Sequence, residues 1–145
     1  MILLDANLLI YAHYLNSEFH DASRVWFEKI LATPEPIALS WATILAFLRI
    51  TTSPSALISP LLLPEAIAII EDLLHRPQVL ILHPGDRHWS VLQRLLTSGQ
   101  AIGNLTSDAH LAALALEHGA LLCTTDRDFA RFPGLHWENP LQKTI

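Results

Sequence analysis

The stretch Leu121–Phe129, LLCTTDRDF, decides how this chain is read. Leu121, Leu122 and Cys123 form an apolar run too short for a helix, so it reads as a buried strand. Two threonines follow, and then Asp126 and Asp128 bracket Arg127. A buried strand that empties into two carboxylates needs a reason, because an unpaired charge at the rim of a core is costly.

Just upstream, SDAHLAALALEHG (Ser107–Gly119) has the pattern of a helix. Thr106 or Ser107 is expected to cap it, and Gly119 to end it. The rest of the chain alternates in the same way. Ile2–Asp5, Ile37–Ser40 and Val79–Leu82 are short apolar runs, and Leu135–Trp137 offers a fifth. Between them lie helical patterns: Leu8–Tyr14; Asp21–Ala32, with Val25, Trp26, Ile30 and Leu31 on one face; Trp41–Thr51 behind a Ser40 cap; Pro64 to about His75; and Arg87–Thr97. Strands that are apolar throughout and alternate with helices imply a parallel sheet covered on both faces. The expected fold class is therefore a three-layer α/β/α domain with a mainly parallel sheet of four to five strands, spanning residues 1–145 as one unit.

Composition narrows the function. The net charge is -5, which argues against simple binding of nucleic acid through a basic patch. It leaves room for an enzyme that reaches phosphate through metal ions. The chain is 51% hydrophobic, with mean hydropathy +0.33. Its most apolar tract, ALISPLLLPEAIAII (Ala56–Ile70), is interrupted by Pro60, Pro64 and Glu65, so no membrane span is expected. The N-terminus has no basic segment of the kind that opens a signal peptide. A single cysteine, Cys123, fits a reducing, cytoplasmic setting. The eight histidines show no zinc-ligand spacing and read as structural or surface residues, and Trp41 and Trp89 read as packing residues.

Open α/β sheets place their sites beyond the carboxyl ends of strands. Asp5 ends the first strand and Asp126 follows the fourth. Asp108 opens the helix that leads into the fourth strand, and a right-handed crossover starts that helix near the same edge. Asp5, Asp108, Asp126 and Asp128 are thus expected to gather. Such a group cannot stay fully ionised unaided, and oxygen-only ligands select magnesium or manganese rather than zinc. The chemistry suggested is phosphodiester hydrolysis with water as nucleophile.

Each acid also has a structural reading. Asp108 suits a helix dipole, Asp126 can cap a turn, and Asp128 can cap the next short helix or pair with Arg131. Asn7 is expected to cap the helix from Leu8, with contact to a metal-bound water as its other reading. Thr124 and Thr125 read as hydrogen bonders at the strand end. Arg49 is either a phosphate contact or a surface arginine. A phosphotransferase built on Asp5 would need a second acid two residues on, where Asn7 stands, and a lysine better placed than Lys29 or Lys143.

MILLDANLLIYA (Met1–Ala12), AFLRI (Ala46–Ile50), DAHLAALALEHGALLCTTDRDFARFPGL (Asp108–Leu135) and the closing Trp137, Pro140 and Leu141 together resemble the PIN-domain family, in particular the VapC-type toxins of toxin–antitoxin pairs. The resemblance covers essentially the whole chain. It implies a magnesium-dependent ribonuclease, with manganese as a possible substitute, that acts on structured RNA such as tRNA or rRNA. It also implies a homodimer and neutralisation by a VapB-type antitoxin. The family's metal-binding acids fall on Asp5, Asp108 and Asp126, and its more variable fourth acid on Asp128. Asn7, Arg49 and Thr125 are the expected substrate contacts. Many relatives carry a glutamate just before the FLR of the central helix; here that position is Ala46, and Trp41–Thr51 holds no acid. The competing expectation is therefore a metal-poor scaffold that only binds a partner. The apolar excess, especially Ser55–Ile70 and the early helices, is expected to serve a dimer seam and an antitoxin groove.

Overall fold

The computed structural model describes residues 1–142, so Lys143 lies outside the described residues. Five strands form one sheet: β1 (Ile2–Leu4), β2 (Ile37–Leu39), β3 (Val79–Ile81), β4 (Leu121–Cys123) and β5 (Trp137–Glu138). Their order is β3-β2-β1-β4-β5, and every pairing is parallel. The central strands are apolar because neither of their faces meets water. Leu3, Leu4, Ile37, Ala38, Leu39, Leu122 and Cys123 are all fully buried.

The pleat splits these residues into two cores, since successive side chains on a strand point to opposite faces. Leu4, Ile37, Leu39 and Cys123 pack beneath α1 (Ala6–His13), α2 (His20–Leu31), α3 (Trp41–Thr51) and α4 (Leu63–Leu74). Leu3, Ala38 and Leu122 pack against α5 (His88–Ser98) and α6 (Leu105–His118). Three layers result, as expected from the sequence. α1 and α2 follow β1, and α3 and α4 follow β2, all on one face; α5 and α6 lead back to β4 on the other. The chain therefore changes direction across the sheet between β1 and β4, which is where a doubly wound sheet opens a crevice.

Most helix boundaries match the sequence reading to within two residues. Ser40 caps α3 by accepting from the Thr43 amide at 3.0 Å. Gly119 ends α6 in the left-handed conformation, with φ 62°. Two expectations fail at helix starts. α1 begins at Ala6, not Leu8, and its cap is Asp5, whose Oδ1 accepts from the Ala6 amide at 2.7 Å. Asn7 therefore sits inside the first turn and caps nothing. α6 begins at Leu105, before both expected caps; the Thr106 hydroxyl donates back to the Gly103 carbonyl at 2.8 Å instead.

Two packing expectations also shift. The buried stripe of α2 is Ser23, Phe27 and Ile30, while Val25 is exposed, because the i, i+4, i+7 spacing runs through Phe27. Trp41 and Trp89 are both exposed rather than packed. α5 and α6 are joined by a partly buried polar chain. Glu117 accepts from the Gly85 amide and meets His88 Nδ1, and His88 Nε2 lies 2.9 Å from His110 Nδ1. No helix among the described residues is long and apolar enough to cross a membrane.

Candidate metal centre

β1 and β4 are neighbours, with Leu4 in register with Cys123. One residue further along, Asp5 faces Thr124. The Thr124 hydroxyl donates to Asp5 Oδ2 at 2.7 Å, accepts from the Asp126 amide at 3.0 Å, and accepts from Asn7 Nδ2 at 3.3 Å. That uses the one proton and both lone pairs of a hydroxyl. Fully buried Thr124 therefore ties the ends of both strands and the first turn of α1 to one atom. Thr43, from the start of α3, adds a second tie through its hydroxyl to the Leu4 carbonyl at 3.0 Å.

Asp126 follows β4 in extended backbone and caps a short 3₁₀ turn, Arg127–Arg131; its Oδ1 accepts from the Asp128 amide at 2.8 Å. That capping bond turns Asp128 back toward Asp126. One carboxylate oxygen each from Asp108, Asp126 and Asp128 fall within 4.8 Å of one another. Asp5, Asp108 and Asp126 in turn line a single cleft of about 280 Å³ between α1, α3 and α6. The four acids expected to converge do so, in two overlapping triplets that share Asp108 and Asp126. Asp128 is the outermost, exposed and loosely paired with Arg131 at 3.9 Å.

The electrostatics match this crowding. Burial raises the Asp5 carboxyl above its ordinary value, against the pull of its bonds from Thr124 and Ala6. Asp108 is pushed up to about 6, first by burial and then by Asp126, Asp5 and Asp128, with Arg131 offsetting part of the effect. Burial and mutual repulsion together outweigh what the protein's own donors and cations offset. The donors are all carboxylate oxygens at close range, a set that fits a hard divalent cation such as magnesium or manganese and does not fit zinc.

The remaining expected residues divide. Asn7 and Arg49 line the cleft; Thr125 does not. β4 ends at Cys123, and it is the Thr124 hydroxyl that bonds both Asp5 and the Asp126 amide. Thr124 is thus the residue the sequence reading placed too low. Its only signal was a position two residues before Asp126. α3 contributes Ala42, Thr43, Ala46, Arg49 and Ile50 to the cleft, and no acid.

The profile of the PIN domain family matches residues 2–135. The chain belongs to the PIN domain family. Among curated PIN-domain relatives, the chain is 39% identical over 140 residues to ribonuclease VapC37 of Mycobacterium tuberculosis, covering 97% of both chains. It is 36% identical over 143 residues to ribonuclease VapC33 of the same organism, covering 99% of this chain and 100% of that one. Among solved structures, it superposes on VapBC2 of Rickettsia felis, crystallised with a promoter DNA fragment, with a TM-score of 0.70 at 22% identity, covering 96% of this chain and 98% of that one. At that identity the match speaks to the PIN fold alone. The three-layer architecture expected from the sequence is the one these PIN-domain proteins share.

Proposed function

We propose that this chain is a magnesium-dependent endoribonuclease, the toxin of a VapBC-type pair, and that it cleaves RNA at the Asp5–Asp108–Asp126–Asp128 cluster. The observation that carries the reading is the convergence of four carboxylates from three separate chain segments, three lining one cleft and Asp128 beside them, with too few protein cations to balance them. The relatives named VapC ribonucleases, aligned over nearly the full chain, support it.

Asp5, Asp108 and Asp126 would hold the cation, and Asp128 would complete the site from its rim. When bound, a divalent cation lowers the pKa of a coordinated water and stabilises charge on a phosphate. Manganese would serve in place of magnesium, since both are hard, oxygen-seeking ions. Thr124 fixes the direction of Asp5 through their 2.7 Å bond. Asp126 and the 3₁₀ turn it caps set the place of Asp128. Arg49 has no ion-pair or hydrogen-bond partner among the described residues, and its guanidinium at the cleft is placed to meet a backbone phosphate. The buried apolar residues Ile10 and Leu111 line the cleft beside the carboxylates.

The substrate class follows as RNA, with tRNA or rRNA as the expected targets. The partner is a VapB-type antitoxin, and the working form is a homodimer in the cytoplasm. Exposed Ile58, Leu62, Leu63 and Ile67 lie within the apolar tract expected to serve those contacts. The deciding experiment is cleavage of total RNA with magnesium or manganese, run beside a chelated control and an Asp5→Asn variant. Cleavage that persists in both controls would sink the proposal. Ala46 supports a second reading, a partner-binding scaffold with little metal affinity, because α3 brings no acid to the cleft. Calorimetric titration with manganese separates the two. Binding that Asp108→Ala abolishes favours the enzyme, and absence of binding favours the scaffold.

A further inference from the structure

Arg131 closes the 3₁₀ turn that Asp126 caps, three residues after Asp128. Its charge suggests an ion pair with the Asp128 carboxylate, but that approach is only 3.9 Å. The closer partners are neutral. Nε donates to the Asp128 carbonyl at 3.2 Å, and Nη1 donates to the Gly99 carbonyl at 3.0 Å. Gly99 is the C-cap of α5, whose last turn holds no basic residue of its own. The last carbonyls of a helix lack partners within it and favour a nearby cation. Arg131 supplies that cation from a different segment.

Phe132 reinforces the same junction. It is buried, and its ring lies where a Cβ on Gly99 would meet it at 3.0 Å. Glycine at 99 lets the ring approach, so two consecutive side chains grip one residue of the α5–α6 connection. Among the described residues, the Arg131–Gly99 bond is the only hydrogen bond between the turn and the segment from α5 to α6. That segment carries Asp108, and the turn carries Asp128. Asp126 has a tie of its own, since its amide donates to Thr124. The Asp128 amide reaches only Asp126, which leaves its distance from Asp108 to the Arg131 junction.

We propose that Arg131 is a positioning residue for the acid cluster: its guanidinium, spanning the Asp128 and Gly99 carbonyls, holds Asp128 within reach of the cation that Asp108 and Asp126 would share. The proposal rests on the nuclease reading and adds to it a residue that is not itself a ligand. A rigid, planar fork suits two carbonyls on different segments, and a lysine ammonium lacks that spread. Charge and position predict opposite outcomes. Arg131 is positive and stands close enough to the acids to draw the Asp108 carboxyl down. By charge alone, its loss tightens the binding of a metal cation. By position, its loss frees Asp128 and weakens binding, and partners that orient metal ligands are worth about 10–100-fold in affinity.

The test is calorimetric titration of the full chain with manganese, held well below the melting temperature of every variant. Arg131→Met and Arg131→Lys should each weaken manganese binding at least about tenfold. In an Asp128→Asn background the same two changes should weaken it less than about twofold, because Arg131 then has no carboxylate to place. Affinity that is unchanged or tighter in either variant overturns the proposal. So does a loss of equal size in the Asp128→Asn background, which marks a general loosening of the fold. Manganese-dependent RNA cleavage by the unaltered protein would leave the nuclease reading standing in both of those cases. Absence of both manganese binding and cleavage in the unaltered protein removes that reading, and the role of Arg131 with it.

Discussion

Replacing Asp108 by asparagine keeps the shape of the side chain and removes its charge, so it tests whether burial and the neighbouring carboxylates together penalise that charge. The folded state raises Asp108 from 3.8 to about 6. The folded protein therefore binds this proton more readily than the unfolded chain. Its contribution to stability is full below pH about 4 and is lost as pH rises through about 6. Two units would be worth about 3 kcal/mol for a fully buried group. Asp108 is only half-buried, and solvent screening cuts this to about 1–2 kcal/mol. Its place in the first turn of α6 opposes the effect, since the helix dipole favours an anion there by about 0.3–1 kcal/mol. The penalty from burial and repulsion together wins by about 1 kcal/mol. With metal chelated at pH 7.5, Asp108→Asn should melt roughly 3–5 °C above the unaltered protein. The gap should close as pH falls below 6 and vanish near pH 4. Saturating magnesium should reverse the order, because only the unaltered site gains about 2.7 kcal/mol at a hundredfold excess over its dissociation constant. Melting curves by circular dichroism at three pH values, with and without metal, decide the matter. A variant less stable than the parent in chelator at pH 7.5, or a gap indifferent to pH, would refute the reasoning.

Thr124→Val should destabilise the fold by about 1–3 kcal/mol in denaturant titrations, because it strands the Asp126 amide and the Asn7 amide as well as Asp5. It should also weaken manganese binding roughly tenfold, while Thr124→Ser restores most of both. Arg49→Ala should lower RNA affinity and reduce the slope of log affinity against log salt by about one phosphate's worth, read from binding at several salt concentrations, with manganese binding unchanged. Phe47→Ala, deep in the core beneath α1–α4, should cost about 3–5 kcal/mol of stability in denaturant unfolding without altering which metal is bound.

Much of the fold is legible in the sequence because its signals are local. Runs such as ILL, IAL and LLC are too short for helices and too apolar for a surface, so burial on both faces follows from residue type; VLI reads the same way, yet β3 lies at the sheet edge and leaves Leu80 exposed. Ser40 and Gly119 mark their helix ends by chemistry that acts within a few residues. Asp5 and Asp126 stand out for a related reason: a carboxylate closing an apolar strand is expensive unless something uses it. Helix starts were less legible where two caps competed. Asp5 displaced Asn7 as the cap of α1, because the chain leaves the sheet one residue earlier than the apolar pattern suggests.

Only the tertiary structure decided which strands lie side by side. That β4 pairs with β1, with Leu4 beside Cys123, is what sets Thr124 rather than Thr125 against Asp5 and brings Asp108 over both. The same packing turns Ala42, Ala46 and Ile50 from ordinary helix positions into lining of the cleft that the acids share. Residue types and their spacing act along the chain and were readable there. The repulsion of Asp5 with Asp108 and Asp126 and the orphaned acceptor of Asn7 arise between segments more than a hundred residues apart, and exist only once the sheet has joined them.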